Sequence, residues 1–144
     1  MTQVDPYPFW LGHKGEGDDS RPIFDRGIKA SVDLALEEPP THPPRELIYL
    51  RFPSLDGAGN RGELLFLAVS TVATLLKMRI PLLMTCGGGV SRSPAVAAAA
   101  LSIVDGQTPE ECLRRVVKQH ASDVSPGLWN EIVAVLSAHA RPPL

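Results

Sequence analysis

The chain has 144 residues, 44% apolar and 21% charged, with a formal net charge of −2; this suits one globular domain and excludes a disordered segment or a basic surface for nucleic acid or anionic membrane. The start, MTQVDPYPFW, lacks the regions of a secretory signal, and the longest apolar-leaning run, LLFLAVSTVATLL, is too short to cross a bilayer. Two cysteines, Cys86 and Cys112, make no secreted disulfide framework, so a soluble protein of a reducing, cytoplasmic compartment is expected.

YPFWLG (7–12) and IKASVDLAL (28–36) read as β segments, and HKGEGDDSRP between them as a polar, Gly-rich loop with at most one helical turn. PPTHPP (39–44) is a stiff connector. ELIYLR (46–51) predicts a buried strand and FPSLDGAGN (52–60) a loop. From Glu63 onward, Leu65, Ala68, Val69, Val72 and Leu76 share one helical face. IPLLMT (80–85) is a second apolar strand, followed by a glycine loop and a helix, SPAVAAAALSIVD, with Pro94 in its first turn and Gly106 just past its end. TPEE (108–111) is a capping box opening another helix, whose apolar face is Cys112, Leu113, Val116, Val117 and His120. A last helix carries Trp129, Ile132, Val133 and Leu136 at the same period. Strands alternating with helices imply a single α/β domain over 1–144, its central, mostly parallel sheet flanked by helices.

The chemistry gathers in CGGGVSRS (86–93). A strand, a glycine loop and a helix N-terminus form an anion-binding arrangement, because main-chain N–H groups converge there and the helix adds partial positive charge. A Walker loop would need a lysine that is absent, and a dinucleotide fingerprint would need glycine where Arg92 stands. A hydrolase elbow on Ser91 would need glycine where Ser93 stands. What remains is a thiol, five residues, an arginine and a serine. A thiol attacks as thiolate, a form favoured by helix N-termini and nearby cations. Arginine presents a planar fork matched to two phosphate oxygens.

Cys-x5-Arg-Ser, in the fuller form Cys-x-x-Gly-x-Ser-Arg-Ser, resembles the signature of the cysteine-based phosphatases of the compact dual-specificity type, within the protein tyrosine phosphatase superfamily. The resemblance spans most of the chain: YPFWLG is similar to the opening strand of that family, and FPSLD to its acid loop. It implies a phosphomonoester hydrolase with Cys86 as nucleophile, forming a cysteinyl-phosphate. Arg92 and the N–H groups of Gly87, Gly88, Gly89, Val90, Ser91 and Arg92 would bind phosphate. Asp56 would be general acid and then base, and Ser93 would assist departure of the sulfur. The implied substrate is a phosphorylated protein or small phosphoester, phosphate or sulfate would occupy the loop, and neither metal nor organic cofactor is needed. Inositol-lipid phosphatases of this superfamily carry extra cations inside the loop, and GGGVS has none. The family commonly has histidine before the cysteine; Thr85 stands here, which removes a cation beside the thiol and implies slower turnover.

Other readings stay open. Cys86 could be a buried structural thiol, and Asp-Gly at 56–57 an ordinary turn. Cys112 reads as core, with a redox pairing to Cys86 as its alternative. His120 reads as a satisfied, semi-buried histidine; His13, His42 and His139 are isolated, without metal-ligand spacing. For the whole chain, the rivals are a phosphate-binding interaction module with weak or no catalysis, motivated by Thr85, and a rhodanese-type sulfurtransferase. Tyrosine against serine or threonine preference, oligomeric state and physiological substrate are not set by the sequence.

Overall fold

The computed structural model describes residues 1–139, in the order β1 (Thr2–Gln3), β2 (Phe9–His13), α1 (Lys14–Gly17), α2 (Ser20–Asp25), β3 (Ala30–Ala35), β4 (Ile48–Ser54), α3 (Gly62–Lys77), β5 (Leu82–Cys86), α4 (Arg92–Asp105), α5 (Pro109–Gln119) and α6 (Pro126–His139). Residues 140–144 of the expected domain lie outside the described residues. The strands form one five-stranded sheet ordered β1-β2-β5-β3-β4, parallel throughout except where β1 runs antiparallel to β2. The expected α/β architecture is present.

Side-chain alternation along the strands divides the interior between the two faces of the sheet. Leu82 and Met84 of β5 join Phe9, Leu11, Val32 and Leu34 in the main core beneath α3 to α6, while Leu83 meets Ile23, Ile28 and Leu47 on the opposite face. Both β3 and β5 are buried along their whole length, which explains the apolar run Leu82–Met84 of β5, since a parallel strand covered on both faces has no solvent side; Ser31 and Asp33 of β3 are buried polar residues.

Two segments differ from the sequence reading. ELIYLR does not form a buried strand: β4 starts at Ile48, runs through Pro53, and lies at the sheet edge with Ile48 48% exposed. An edge position tolerates the proline, which has no N–H to donate. HKGEGDDSRP, read as a loop with room for one helical turn, holds that turn as α1 and also the start of a second short helix, α2. Asp19 caps α2 by accepting from Arg21 N at 3.3 Å. Lys14 of α1 is buried, its Nζ donating to Asp18 Oδ1 at 2.7 Å and Thr41 Oγ1 at 2.6 Å. These contacts override the weak helix propensity of the glycines.

The later helices follow their patterns. Leu65, Ala68, Val69, Val72 and Leu76 are buried along α3. The alanine run of α4 is buried from Ala95 to Leu101, small side chains letting α3 and α5 approach it closely. Gly106 closes α4 in the left-handed conformation, φ 74°. In the capping box of α5, Glu111 N donates to Thr108 Oγ1 at 3.1 Å and Thr108 N to Glu111 Oε2 at 3.2 Å. Cys112 and Val116 are buried as expected, but Val117, five positions after Cys112, has turned toward solvent and is 48% exposed. In α6, Ile132 is buried and Trp129 and Leu136 pack partly buried against the core. No described helix is long and apolar enough to cross a membrane.

This order fixes where a ligand can sit. β5 is inserted between β2 and β3, both earlier in the chain, so the sheet changes its direction of growth there. A crevice forms beyond the C-terminal strand ends at such a point, and β5 ends at Cys86.

Candidate active site

Cys86 is the last residue of β5, paired in register with His13 of β2, and is almost fully buried. The chain then turns through Gly87–Ser91 into α4, whose first residue is Arg92. The carbonyls of the turn are tied to surrounding elements. Gly87 O accepts from Lys14 N at 3.3 Å, Val90 O from Asp123 N at 2.7 Å, and Gly89 O from the His120 ring at 2.6 Å. Among the described residues, no protein group accepts from the N–H of Gly88, Gly89, Val90 or Ser91. A loop with Gly87, Gly89 and Val90 carbonyls engaged by neighbouring elements and successive N–H groups unmatched has the donor pattern that can receive an anion.

Glycine is required at position 89 on two counts. Its φ is +76°, and a Cβ there would lie 2.8 Å from both Gly12 C and Gly12 O. Backbone cannot swing aside as a side chain can. The left-handed conformation alone costs about 1–2 kcal/mol for an L-residue. Gly89→Ala should therefore lower the unfolding free energy by at least that much and displace the loop from β2; an unchanged denaturant midpoint would contradict this packing.

Arg92 is buried, 4% exposed, with one side of its fork occupied. Nη1 donates to Glu37 Oε1 at 2.6 Å and to Ser54 O at 2.8 Å, and Nη2 donates to Glu37 Oε2 at 2.5 Å. Nε is buried without a partner. Glu37 lies just past β3 and braces the guanidinium through both Nη atoms. Arg92's hydrogen bonds hold the Glu37 carboxyl below its ordinary range despite some desolvation. The same bonds outweigh desolvation and strengthen Arg92's hold on its proton, and Cys86 and Asp56 lie close enough to add to this when ionised. Cys86, Arg92 and Asp56 thus share one electrostatic neighbourhood.

Asp56 follows β4 on a loop held from two sides. Asn60 accepts from Leu55 N at 2.8 Å and donates to Leu55 O and Gly57 O, both at 3.1 Å. Glu131 of α6 accepts from Gly59 N at 2.9 Å and Asn60 N at 3.2 Å. Asp56 Oδ1 then accepts from Ser91 Oγ at 2.5 Å, and Ser91 Oγ accepts from Ser125 N at 2.9 Å. The structure thus brings Asp56 onto the turn after Cys86. Ser93 is fully buried but its hydroxyl has no hydrogen-bond partner, so it makes no bond to the Cys86 sulfur here.

Thr85 is buried beneath Gly17 of α1, where an added Cβ would meet Thr85 Cγ2 at 3.2 Å. Cys86 and Cys112 are both free and buried. Burial pushes the Cys112 thiol up and disfavours its thiolate. Among the described residues, no three His, Cys, Asp or Glu side chains gather as metal ligands.

The bracing residues Glu37, His120, Ser125 and Glu131 were not identified as part of the site from sequence. Glu37 alone carried a signal: it follows a predicted strand at the end where such sheets bind ligands.

No protein-family model and no curated protein sequence matches the chain. Solved structures do. Human DUSP28 superposes with TM-score 0.83 at 21% identity, over 96% of each chain. A mouse protein assigned as a dual specificity phosphatase and complexed with zinc tungstate gives 0.80 at 21%, over 95% of this chain and 86% of that one. The human tyrosine phosphatase-like serine/threonine/tyrosine-interacting protein gives 0.80 at 16%, over 98% of each. These likenesses are of fold.

Proposed function

We propose that this chain, which carries the dual-specificity phosphatase fold, is a cysteine-dependent phosphomonoester hydrolase acting on phosphoproteins or small phosphoesters. The observation that carries the reading is the unmatched, buried Nε of Arg92 at the head of a turn whose N–H groups have no protein acceptor. A phosphoryl group would supply the missing acceptors to both.

In this reading Cys86 attacks phosphorus as thiolate, the P–O bond to the substrate breaks, and Asp56 donates a proton to the leaving oxygen. Asp56 then removes a proton from water, which attacks the cysteinyl-phosphate and releases the sulfur. Arg92 and the N–H groups of residues 87–92 stabilise charge on the phosphoryl oxygens in both steps. Ser93, unpartnered and next to Arg92, would bond the departing sulfur.

The test is rapid quench of the protein with a phosphotyrosine peptide or p-nitrophenyl phosphate, followed by peptide mass analysis. One phosphoryl group on the Cys86 peptide, together with catalytic release of phosphate, is expected; hydrolysis with phosphate on no residue would overturn the mechanism. Oxyanion binding without turnover would favour a phosphate-binding module instead, a reading that Thr85 and the phosphatase-like interacting protein of the same fold also support.

The acid is tested separately. Asp56→Asn should slow hydrolysis of an alkyl phosphate by about 10²–10⁴-fold. It should affect p-nitrophenyl phosphate far less, because that leaving group departs without a proton. Equal losses on both would place the acid elsewhere.

A further inference from the structure

Three consecutive residues of the turn after Cys86 are held by one short stretch of chain. His120 reaches Gly89 O at 2.6 Å, Asp123 N reaches Val90 O at 2.7 Å, and Ser125 N reaches Ser91 Oγ at 2.9 Å. Two of these contacts come from the main chain and tolerate nearly any side chain. The His120 contact depends on side-chain identity.

A carbonyl only accepts, so Nε2 of His120 carries a proton and donates it to Gly89. Nδ1 is buried and has no partner. The proton on Nε2 is assigned from its partner, the Gly89 carbonyl. A residue kept only to fill space would gain by being apolar, since an imidazole here leaves one polar atom unsatisfied. What the polar ring provides is the bond to Gly89, at the residue whose φ of +76° and contact with Gly12 shape the turn. Turning that carbonyl outward fixes the adjacent peptide N–H the other way, because the peptide unit is planar. A cavity of about 330 Å³ opens beside this contact, bordered by Gly88, Gly89, Val90 and His120.

We infer that His120 is a positioning residue for oxyanion binding: by donating to Gly89 O from outside the turn, it aims the N–H groups that hold phosphate. The inference rests on the phosphatase reading for its rate measurement and on oxyanion binding alone for its affinity measurement.

Wild type, His120→Leu and His120→Gln are compared for tungstate affinity by calorimetry, for kcat and KM on p-nitrophenyl phosphate, and for thermal midpoint. The glutamine amide can donate to Gly89 O much as Nε2 does; leucine cannot. His120→Leu should weaken tungstate binding and lower kcat/KM by about 10- to 100-fold. His120→Gln should stay within about threefold of wild type. If His120→Leu does not fold, His120→Ala takes its place. A folded His120→Leu with wild-type tungstate affinity overturns the inference, as does a folded His120→Gln damaged as severely as the apolar variant. Wild type that binds tungstate without hydrolysing substrate sinks the phosphatase reading, and the affinities still judge His120. Wild type that binds no oxyanion overturns both.

Discussion

The Cys86→Ser variant should hydrolyse aryl phosphates at least about 10⁴-fold more slowly than wild type while binding tungstate with affinity within about threefold of it. The two halves of this expectation have separate causes. A serine hydroxyl ionises far less readily than a thiol, and among the described residues no basic side chain is bonded to position 86 to take its proton. The proposed oxyanion cradle, by contrast, consists of main-chain N–H groups and Arg92, held by Lys14, His120, Asp123 and Glu37. None of those bonds involves the sulfur, and oxygen in its place leaves the small residue at the end of β5 with nearly the same shape. Stopped assays and calorimetry on one preparation separate the two effects. Residual activity within tenfold of wild type would move the nucleophile away from Cys86. Loss of tungstate binding would mean the sulfur itself shapes the cradle.

Arg92→Lys should cost about 10²–10³-fold in kcat/KM, although charge is conserved. The wild-type guanidinium divides its donors between two tasks. Nη1 and Nη2 engage Glu37 and Ser54 O, which fixes the plane of the fork, and Nε remains unmatched. A lysine ammonium is a point donor on a flexible stem. It can pair with Glu37 or reach a phosphoryl oxygen, but it cannot hold one with a fixed edge while presenting another. Phosphate affinity should fall together with the rate. Near-normal kcat/KM in this variant would show that positive charge alone suffices and that the Glu37 brace has no part in catalysis.

The run from Leu82 to Leu101 was legible because each part is a local signal. An apolar strand, glycines, and an alanine helix with Gly106 past its end each declare themselves within a few residues, and the elements appear there. The capping box at Thr108 and the face of α3 are of the same kind. The short helix α1 was hidden because it is held by a distant contact, the bond of buried Lys14 to Thr41, against the preference of Gly15 and Gly17; α2 carried a local signal in its Asp19 cap that the polar composition masked. In the candidate site, the sequence pointed to Cys86, Arg92 and Asp56, and the structure brings these into one neighbourhood. The braces joining them were out of reach. Glu37 stands 55 residues from Arg92, Gly89 stands 31 from His120, and Gly59 stands 72 from Glu131. No periodicity or motif links positions so far apart; only the strand order does.

The packing of Gly17 against Thr85 has a bearing on how this sequence can change. A bulkier side chain at 85 needs room that the backbone of α1 already occupies, and α1 also carries Lys14, whose N–H holds the carbonyl of Gly87. A larger residue at either position therefore presses on α1, and through Lys14 on the turn after Cys86. The room for a ring beside the cysteine is thus set partly by the residue at position 17, where glycine gives Thr85 the most space.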